Sequence, residues 1–518
     1  MKEKDISRRD FIIMSSLGLA GLLAGPLEGV AEAMMRGDMM GGGMGGGMMG
    51  GGMMGGVAVM DLAPGGNFRD PVEMAGVVNK PGVVEVGLEV KPATVNVNGY
   101  MMNMLTYNGS FQGPTIRVKR GDLLKVRFKN SLTLSTATNT LGHRTDITNL
   151  HTHGLHVSPS GNSDNPHLEF VPGQEFLYEI DLSKEEPGHL NFYHPHVHGG
   201  VSEQFWGGLS GAVVVEDDRD SVLKGIERHI LIIRDISFNG AYPSPHLGHM
   251  DYMHGKEGNI VMVNGQSNPV LPIKKGQVQR WQILNTSNAR FLRLALENHT
   301  MYLVGTDGGL VDRPYPLREI LVSPGERIDV LVKADQEARN YRLVSLPYNR
   351  SRHGNSQTFT IMTMSYDGQG GKEDIPPVIN REAKRIVKDP GSLPYQKIVL
   401  GMGMGRGYIN GRTFGENTCT LNSRVGTYEI WDVENPTCMD HPLHYHVNSA
   451  QVLSINGGDP GYASLYTSIP ALKDVVVIPK WGSARLLMLV TDFTGMSMFH
   501  CHIIEHEDIG MMGHWNIV

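Results

Sequence analysis

Four His-x-His pairs are the residues of this chain best suited to chemistry. They are His151-Thr-His153, His194-Pro-His196, His444-Tyr-His446 and His500-Cys-His502. On a strand, residues i and i+2 point to the same face, so each pair can offer two imidazoles to one metal cluster. Eight converging imidazoles exceed the needs of a single ion and suit several copper ions held between two domains. In the last triplet Cys501 faces away from His500 and His502, so one tripeptide can serve two centres on opposite sides of a strand. His506 follows Cys501 by five residues and Met511 follows it by ten, while His441 opens His441-Pro-Leu-His444. Two imidazoles, a thiolate and a weak axial thioether make a blue-copper electron-transfer site.

The elements that must position these groups are legible in a weak internal repeat. Segments Gly121 to Asn130, Gly276 to Asn285 and Gly426 to Asn435 each run from Gly to Asn in ten residues. Their sixth and eighth positions are apolar (Val126 and Phe128, Trp281 and Ile283, Trp431 and Val433) and the seventh is polar (Arg127, Gln282, Asp432). That alternation predicts half-buried strands. An Asn-Gly turn precedes each copy, at Asn108-Gly109, Asn264-Gly265 and Asn410-Gly411. The copies lie about 150 residues apart, which is a domain length. Helical periodicity is scarce, so the expected class is all-β, built of β-sandwiches. The expected divisions are residues 80–218, 219–370 and 385–518.

With 518 residues, 40% hydrophobic and 19% charged, the chain is not disordered throughout. A net charge of −7 gives no global basic field for nucleic acid, and three cysteines cannot build a disulfide scaffold. Residues 1–33 read as an export address. Ser7-Arg8-Arg9-Asp10-Phe11 precedes an apolar run from Phe11 to Leu23, and Ala31-Glu32-Ala33 fits a cleavage site. The paired arginines resemble a twin-arginine signal. That implies a periplasmic or other extracytoplasmic protein, with no stable membrane insertion of the mature chain. Residues 34–60 read as a flexible Met/Gly segment. Met34 to Gly56 holds nine methionines and twelve glycines, thioethers that suit Cu(I) on a backbone unable to build a core.

The motifs HTHG at 151, HPHVHG at 194, HPLHYH at 441 and HCHIIEHEDIGMM at 500 resemble the copper motifs of three-domain multicopper oxidases. The resemblance covers nearly all of residues 80–518. It implies three cupredoxin-like Greek-key β-sandwich domains and four copper ions: one type 1, one type 2 and two type 3. By motif position, His441, Cys501, His506 and Met511 hold the type 1 copper. His151 and His444 hold the type 2 copper, and His153, His194, His196, His446, His500 and His502 the type 3 pair. It further implies that electrons taken singly from a reductant reduce O2 to water. Glu507 and Asp164 occupy the places of the carboxylates that relay protons.

The favoured reductant is Cu(I), in copper tolerance; the alternative is a laccase oxidising small phenols or aromatic amines. The export signal, the methionine segment and Met439 resemble cuprous oxidases. Thr437 stands where those enzymes carry an acidic residue, with Asp440 near but not at that position. A copper-sequestering protein without turnover is the alternative from another class, although storage needs no complete O2-reducing cluster. A monomer is expected. Outside the ten ligand histidines, His198 reads as supporting or structural. His246, His249, Met250, Met253 and His254 crowd one loop that is either exposed and polar or an accessory copper site. Met402 and Met404 are similarly ambiguous. Cys419 and Cys438 are either a disulfide or free buried thiols.

Overall fold

The computed structural model describes residues 57–518 apart from 75–76, 186–187, 217–221 and 352–356. The export address and nearly all of the methionine segment lie outside the described residues. The chain is almost entirely β, as the alternation predicted, and it folds into three successive pairs of sheets.

The three repeat copies become strands Leu123–Asn130, Val278–Asn285 and Thr427–Asn435. Each puts its sixth and eighth residues into the core. The polar seventh residue diverges. Arg127 is exposed and Asp432 half-buried, whereas Gln282 is buried. Its strand lies between Glu227–Ile236 and Arg327–Lys333 and is buried along its whole length, so Gln282 turns inward to donate to Asp329 at 3.3 Å. A strand covered on both faces loses the alternation of a half-buried one.

In the first pair of sheets, Gly113–Lys119, Gly211–Glu216, His189–His194 and His151–His153 lie side by side in that order. In the last pair, Gly495–Cys501 sits between Met512–Ile517 and His441–Tyr445. All four His-x-His pairs therefore lie at or across strand ends, and the two histidine-bearing sheets meet there. His151 faces His194 across one antiparallel ladder, and His444 faces His500 across another.

The middle pair of sheets braces the other two through buried charge. The Arg327 guanidinium holds both oxygens of Asp474 at 2.6 Å. Lys473 Nζ lies 2.8 Å from Asp307 and 2.7 Å from Glu326, all fully buried. Burying any one of these charges alone would be costly, and pairing offsets that cost.

Residues Val57 to Met60, expected within the flexible stretch, are instead fixed on the body. Met60 N–H donates to the Asn259 carbonyl at 2.8 Å, and Arg290 Nη2 donates to the Val57 carbonyl at 3.3 Å. No helix among the described residues is long and apolar enough to cross a membrane.

Candidate metal centres

Two donor sets form on opposite faces of the strand Gly495–Cys501, as the alternation of His500, Cys501 and His502 requires. On one face Cys501 Sγ lies 3.5 Å from His441 Nδ1 and 3.5 Å from His506 Nδ1, and those two nitrogens are 3.2 Å apart. All three residues are buried. Met511 is fully buried too. Its N–H donates to the His506 carbonyl at 2.9 Å, and its carbonyl accepts from Cys501 N–H at 3.1 Å. His506 lies on the short helix Ile504–Asp508, and Gly510 closes that helix with φ 100°. This left-handed turn swings the chain back toward Cys501. Burial pushes the Cys501 thiol up and holds His441 down at about 3 and His506 well below its usual value. A thiolate in so dry a place requires a bound cation.

The other face gathers the eight imidazoles of the His-x-His pairs, all buried. The rings of His153, His194 and His502 form one group, with centroids 4.8 to 5.8 Å apart. His196, His446 and His500 form a second, at 4.7 to 5.3 Å. His151 and His444 lie between them, stacked on His446 and His153 respectively. Burial and the neighbouring rings keep His153, His194, His196, His444, His446 and His502 neutral, and burial holds His500 down at about 3.

The arrangement fits metal ions. His151, His194 and His444 each tie Nδ1 to the protein, at Asp164, the Pro195 carbonyl and the Asp474 carbonyl respectively. Each leaves Nε2 buried without a hydrogen-bond partner. One nitrogen anchored and the other turned to a common point is how a ligating histidine is oriented. His500 Nε2 also stands 3.2 Å from Nε2 of both His196 and His446, a convergence of lone pairs that a cation resolves.

The two expected proton carriers occupy different settings. Asp164 accepts from Thr152 N–H at 2.8 Å and meets His151 Nδ1 at 2.9 Å. Glu507 is fully buried, 3.3 Å from His500 Nδ1 and 3.7 Å from His196 Nδ1, and neither of its oxygens has a hydrogen-bond partner. Burial, with Asp508 beside it, pushes its carboxyl well up. Asp508 itself is raised to about 6 by burial, against hydrogen bonds from Gly199, Val201 and Ser202.

Sequence reasoning missed Asp474. Its Oδ1 lies 3.4 Å from His153 Nε2 while its carbonyl anchors His444. No motif marks it; the only signal was a Lys-Asp pair just before the strand Val475–Ile478. Thr437, read as a departure from the cuprous pattern, contacts the thiolate set directly through an Oγ1 to His441 Nε2 contact of 2.8 Å. Met439 is buried, and Asp440 meets the Tyr348 hydroxyl and Lys480 N–H at 2.8 Å each. His198 packs on His143 and Phe414. The loop around 250 is a short helix, His249–His254, and His246 is buried 3.0 Å from Glu505. Cys419 and Cys438 are both free thiols; Cys419 is buried, but Cys438 is exposed.

Fold and donor sets together define a copper oxidase. Three multicopper oxidase family models match residues 89–220, 212–369 and 388–518. A multicopper oxidase of Staphylococcus aureus is 30% identical over 435 residues, which are 82% of this chain and 86% of that protein. The chain belongs to the multicopper oxidase family. A laccase of Bacillus subtilis is 27% identical over 463 residues, 78% of this chain and 88% of that one. A solved multicopper oxidase from Campylobacter jejuni, described as a metallo-oxidase, matches with TM-score 0.75 and 27% identity over 88% of this chain and 96% of that one. The protein is thus a copper-dependent oxidoreductase that takes electrons from a reducing substrate and uses O2 as acceptor.

Proposed function

We propose that this oxidase is an exported cuprous oxidase acting in copper tolerance. Residues 1–33 are its twin-arginine-type address to the periplasm, and the mature protein is a monomer of three domains, 80–218, 219–370 and 385–518. Four copper ions are its complement. His441, Cys501, His506 and Met511 hold the type 1 ion, and His151 and His444 the type 2 ion. His153, His194 and His502 hold one type 3 ion, and His196, His446 and His500 the other. Copper held in these places would supply single-electron uptake and the four electrons that O2 reduction needs.

The chain's own groups do the rest. Asp164, Asp474 and the Pro195 carbonyl orient imidazoles. Glu507, its carboxyl pushed well up by burial, is the proton carrier beside His196 and His500. Arg327 fixes Asp474 so that it cannot turn away from His153 and His444.

The observation that carries the Cu(I) reading is the cover over the thiolate set. His441 and His506 are both 0% exposed, with Thr437 bonded to the outer nitrogen of His441 and Met439 buried two residues from it. An ion that binds at the surface can give up an electron through such a cover, whereas a phenol gains no direct contact with either ring. The laccase reading draws its support from the relatives named laccases.

An oxygen electrode separates the readings. Copper-loaded protein is offered Cu(I), Fe(II) and a dimethoxyphenol in turn, and Cu(I) is expected to drive the fastest O2 uptake. Copper binding without O2 uptake on any donor would instead support sequestration. Deleting residues 34–56 is expected to slow Cu(I) turnover at low free Cu(I) and to leave phenol turnover unchanged, because the thioethers there concentrate a soft ion near the body.

A further inference from the structure

One hydrogen-bonded turn recurs in each pair of sheets, just before the strand that pairs antiparallel with the repeat copy. Its three forms are Val171-Pro172-Gly173-Gln174, Ser323-Pro324-Gly325-Glu326 and Pro479-Lys480-Trp481-Gly482. The fourth N–H donates to the first carbonyl in all three, at 3.1, 3.1 and 3.0 Å. The residue before each turn is held alike too. Nδ2 of Asn130, Asn285 and Asn435, the last residue of each repeat copy, donates to the carbonyl of Phe170, Val322 and Ile478 respectively. The third position is left-handed throughout, with φ 91° at Gly173, 82° at Gly325 and 55° at Trp481. A turn with positive φ at this position calls for glycine, and the third copy departs from it.

Tryptophan offends that place twice. A bulky side chain at positive φ is strained. The Trp481 ring is also 70% exposed, whereas the other four tryptophans are buried. The frame around it is firm. Lys480 N–H donates to Asp440 at 2.8 Å, and Lys480 Nζ donates to the Asn349 carbonyl. On the other side Gly458 packs so closely that a Cβ there would stand 2.7 Å from Pro479 Cβ. Strain held in place on a surface aromatic points to a use for the ring.

The attachment of the turn says where that use lies. Gly173 N–H donates to the Asn130 carbonyl at 2.8 Å, and Gly325 N–H to the Asn285 carbonyl at 2.9 Å. In the third turn the partner moves two residues on, and Trp481 N–H donates to the Thr437 carbonyl at 3.2 Å. Thr437 is the residue whose Oγ1 meets His441 Nε2 at 2.8 Å, while His441 Nδ1 faces Cys501. A single residue therefore joins the exposed tryptophan to the outer side of the thiolate set.

We propose that Trp481 is a docking platform for phenols, which stack on its exposed ring and pass their electron inward through Thr437 to His441. Indole offers a broad face for an offset or edge-on aromatic contact. The cover over His441 and His506 denies a phenol direct contact with either imidazole, and Trp481 stands outside that cover. The proposal goes beyond the Cu(I) reading by giving the same electron sink a second class of reductant. Each phenol loses one electron and its hydroxyl proton and leaves as a phenoxyl radical. Four such losses supply the four electrons and four protons that turn one O2 into two waters.

The test uses full-length mature protein carrying its resident copper. A dimethoxyphenol, Cu(I) and hexacyanoferrate(II), a donor without an aromatic ring, are compared in steady state. Trp481→Gly restores the residue of the two sister turns, so the turn relaxes rather than fails. Trp481→Leu keeps apolar bulk without a ring, and Trp481→Phe keeps a ring. KM for the phenol is expected to rise about two- to tenfold in the Gly and Leu variants, the worth of one aromatic contact, and to return toward wild type in the Phe variant. Hexacyanoferrate(II) kinetics and the blue absorption should stay as they are. Without O2, the phenol should quench tryptophan emission saturably in the wild type and not in Trp481→Gly. An unchanged phenol KM in Trp481→Gly, or quenching that never saturates, overturns the platform. So does an equal loss with hexacyanoferrate(II), which would mean that Trp481 only shapes the cover. A wild type that oxidises Cu(I) and no phenol overturns the platform and leaves the cuprous reading standing. Phenol turnover that depends on Trp481, in a protein whose O2 uptake Cu(I) does not drive, supports the platform and overturns that reading instead.

Discussion

Glu507 Oε2 lies 3.3 Å from His500 Nδ1, with both residues fully buried. Neither carboxyl oxygen has a hydrogen-bond partner, and burial pushes the carboxyl well above its usual range. A group so placed can hand a proton toward the imidazole cluster. Replacing Glu507 by Gln keeps the shape and removes the titratable proton. O2 reduction is expected to slow by about 10²- to 10⁴-fold, the range typical of a lost acid–base group. Reduction of the type 1 centre by substrate should keep its rate. Stopped-flow traces of the two half-reactions separate the roles, and equal slowing of both would make Glu507 merely structural.

Among the described residues, Cys501 is the one thiol that meets His441 and His506. Cys501→Ser is expected to abolish the intense blue absorption and substrate oxidation while the imidazole cluster keeps its copper, because His500 and His502 face the other way. Metal analysis alongside visible spectra checks this. A folded, copper-loaded variant that stays blue would reject the assignment.

Met511 is held by backbone bonds to both His506 and Cys501, so its position survives a change of side chain. On the proposed copper assignment, Met511→Leu would remove a weak donor that favours the oxidised ion, and that weak donor is a lever on potential. The type 1 potential should rise with the blue colour kept. A redox titration showing a fall, or no shift, counts against an axial thioether.

Strand periodicity of two made the site legible in sequence. It places His500 and His502 on one face and Cys501 on the other, whatever the surrounding fold. The repeat copies were legible for the same reason. What escaped depended on residues far apart in the chain. Asp474 orients His444 from 30 positions away, and Arg327 fixes Asp474 from 147. Gln282 read as a surface residue because nothing local reports that a sheet is covered on both sides. The short helix His249–His254 escaped because its burial is mostly confined to Tyr252.

Lys473 is the hinge of the brace between the second and third pairs of sheets. Removing its charge takes from buried Glu326 its ion-pair partner and leaves buried Asp307 only Arg327, at 3.7 Å. Lys473→Met should cost roughly 3–5 kcal/mol, the usual penalty for breaking a buried pair from one side. Chemical denaturation of the copper-loaded proteins measures it. A loss under about 1 kcal/mol, the range of exposed pairs, would mean that water reaches the cluster.

Acid should destabilise the copper-free protein from near neutrality downward. Nine ligand-set imidazoles are held neutral in the fold, two of them down at about 3, chiefly by burial. In the unfolded chain the same rings take up protons near pH 6.5. Below that pH the unfolded state binds more protons, so stability is full above 6.5 and is lost as pH falls toward the folded values. Each ring contributes up to about 1.4 kcal/mol per pH unit of separation. Glu507 works in the opposite sense, since its raised carboxyl stabilises the fold below about 4.5 and costs stability as pH rises through its folded value. Asp508, Asp440 and Glu429, also raised by burial, act in the same sense as Glu507, and four carboxyls do not offset nine rings. Bound copper competes with protons for the ring nitrogens, so the loaded protein should hold its stability to lower pH. Thermal denaturation of stripped and loaded protein between about pH 7.5 and 4.5 tests this, spanning the model histidine value. The stripped form should lose Tm steeply below pH 6.5 and the loaded form much less. A stripped protein whose Tm stays level or climbs over that interval would show that the imidazoles are not held neutral by the fold.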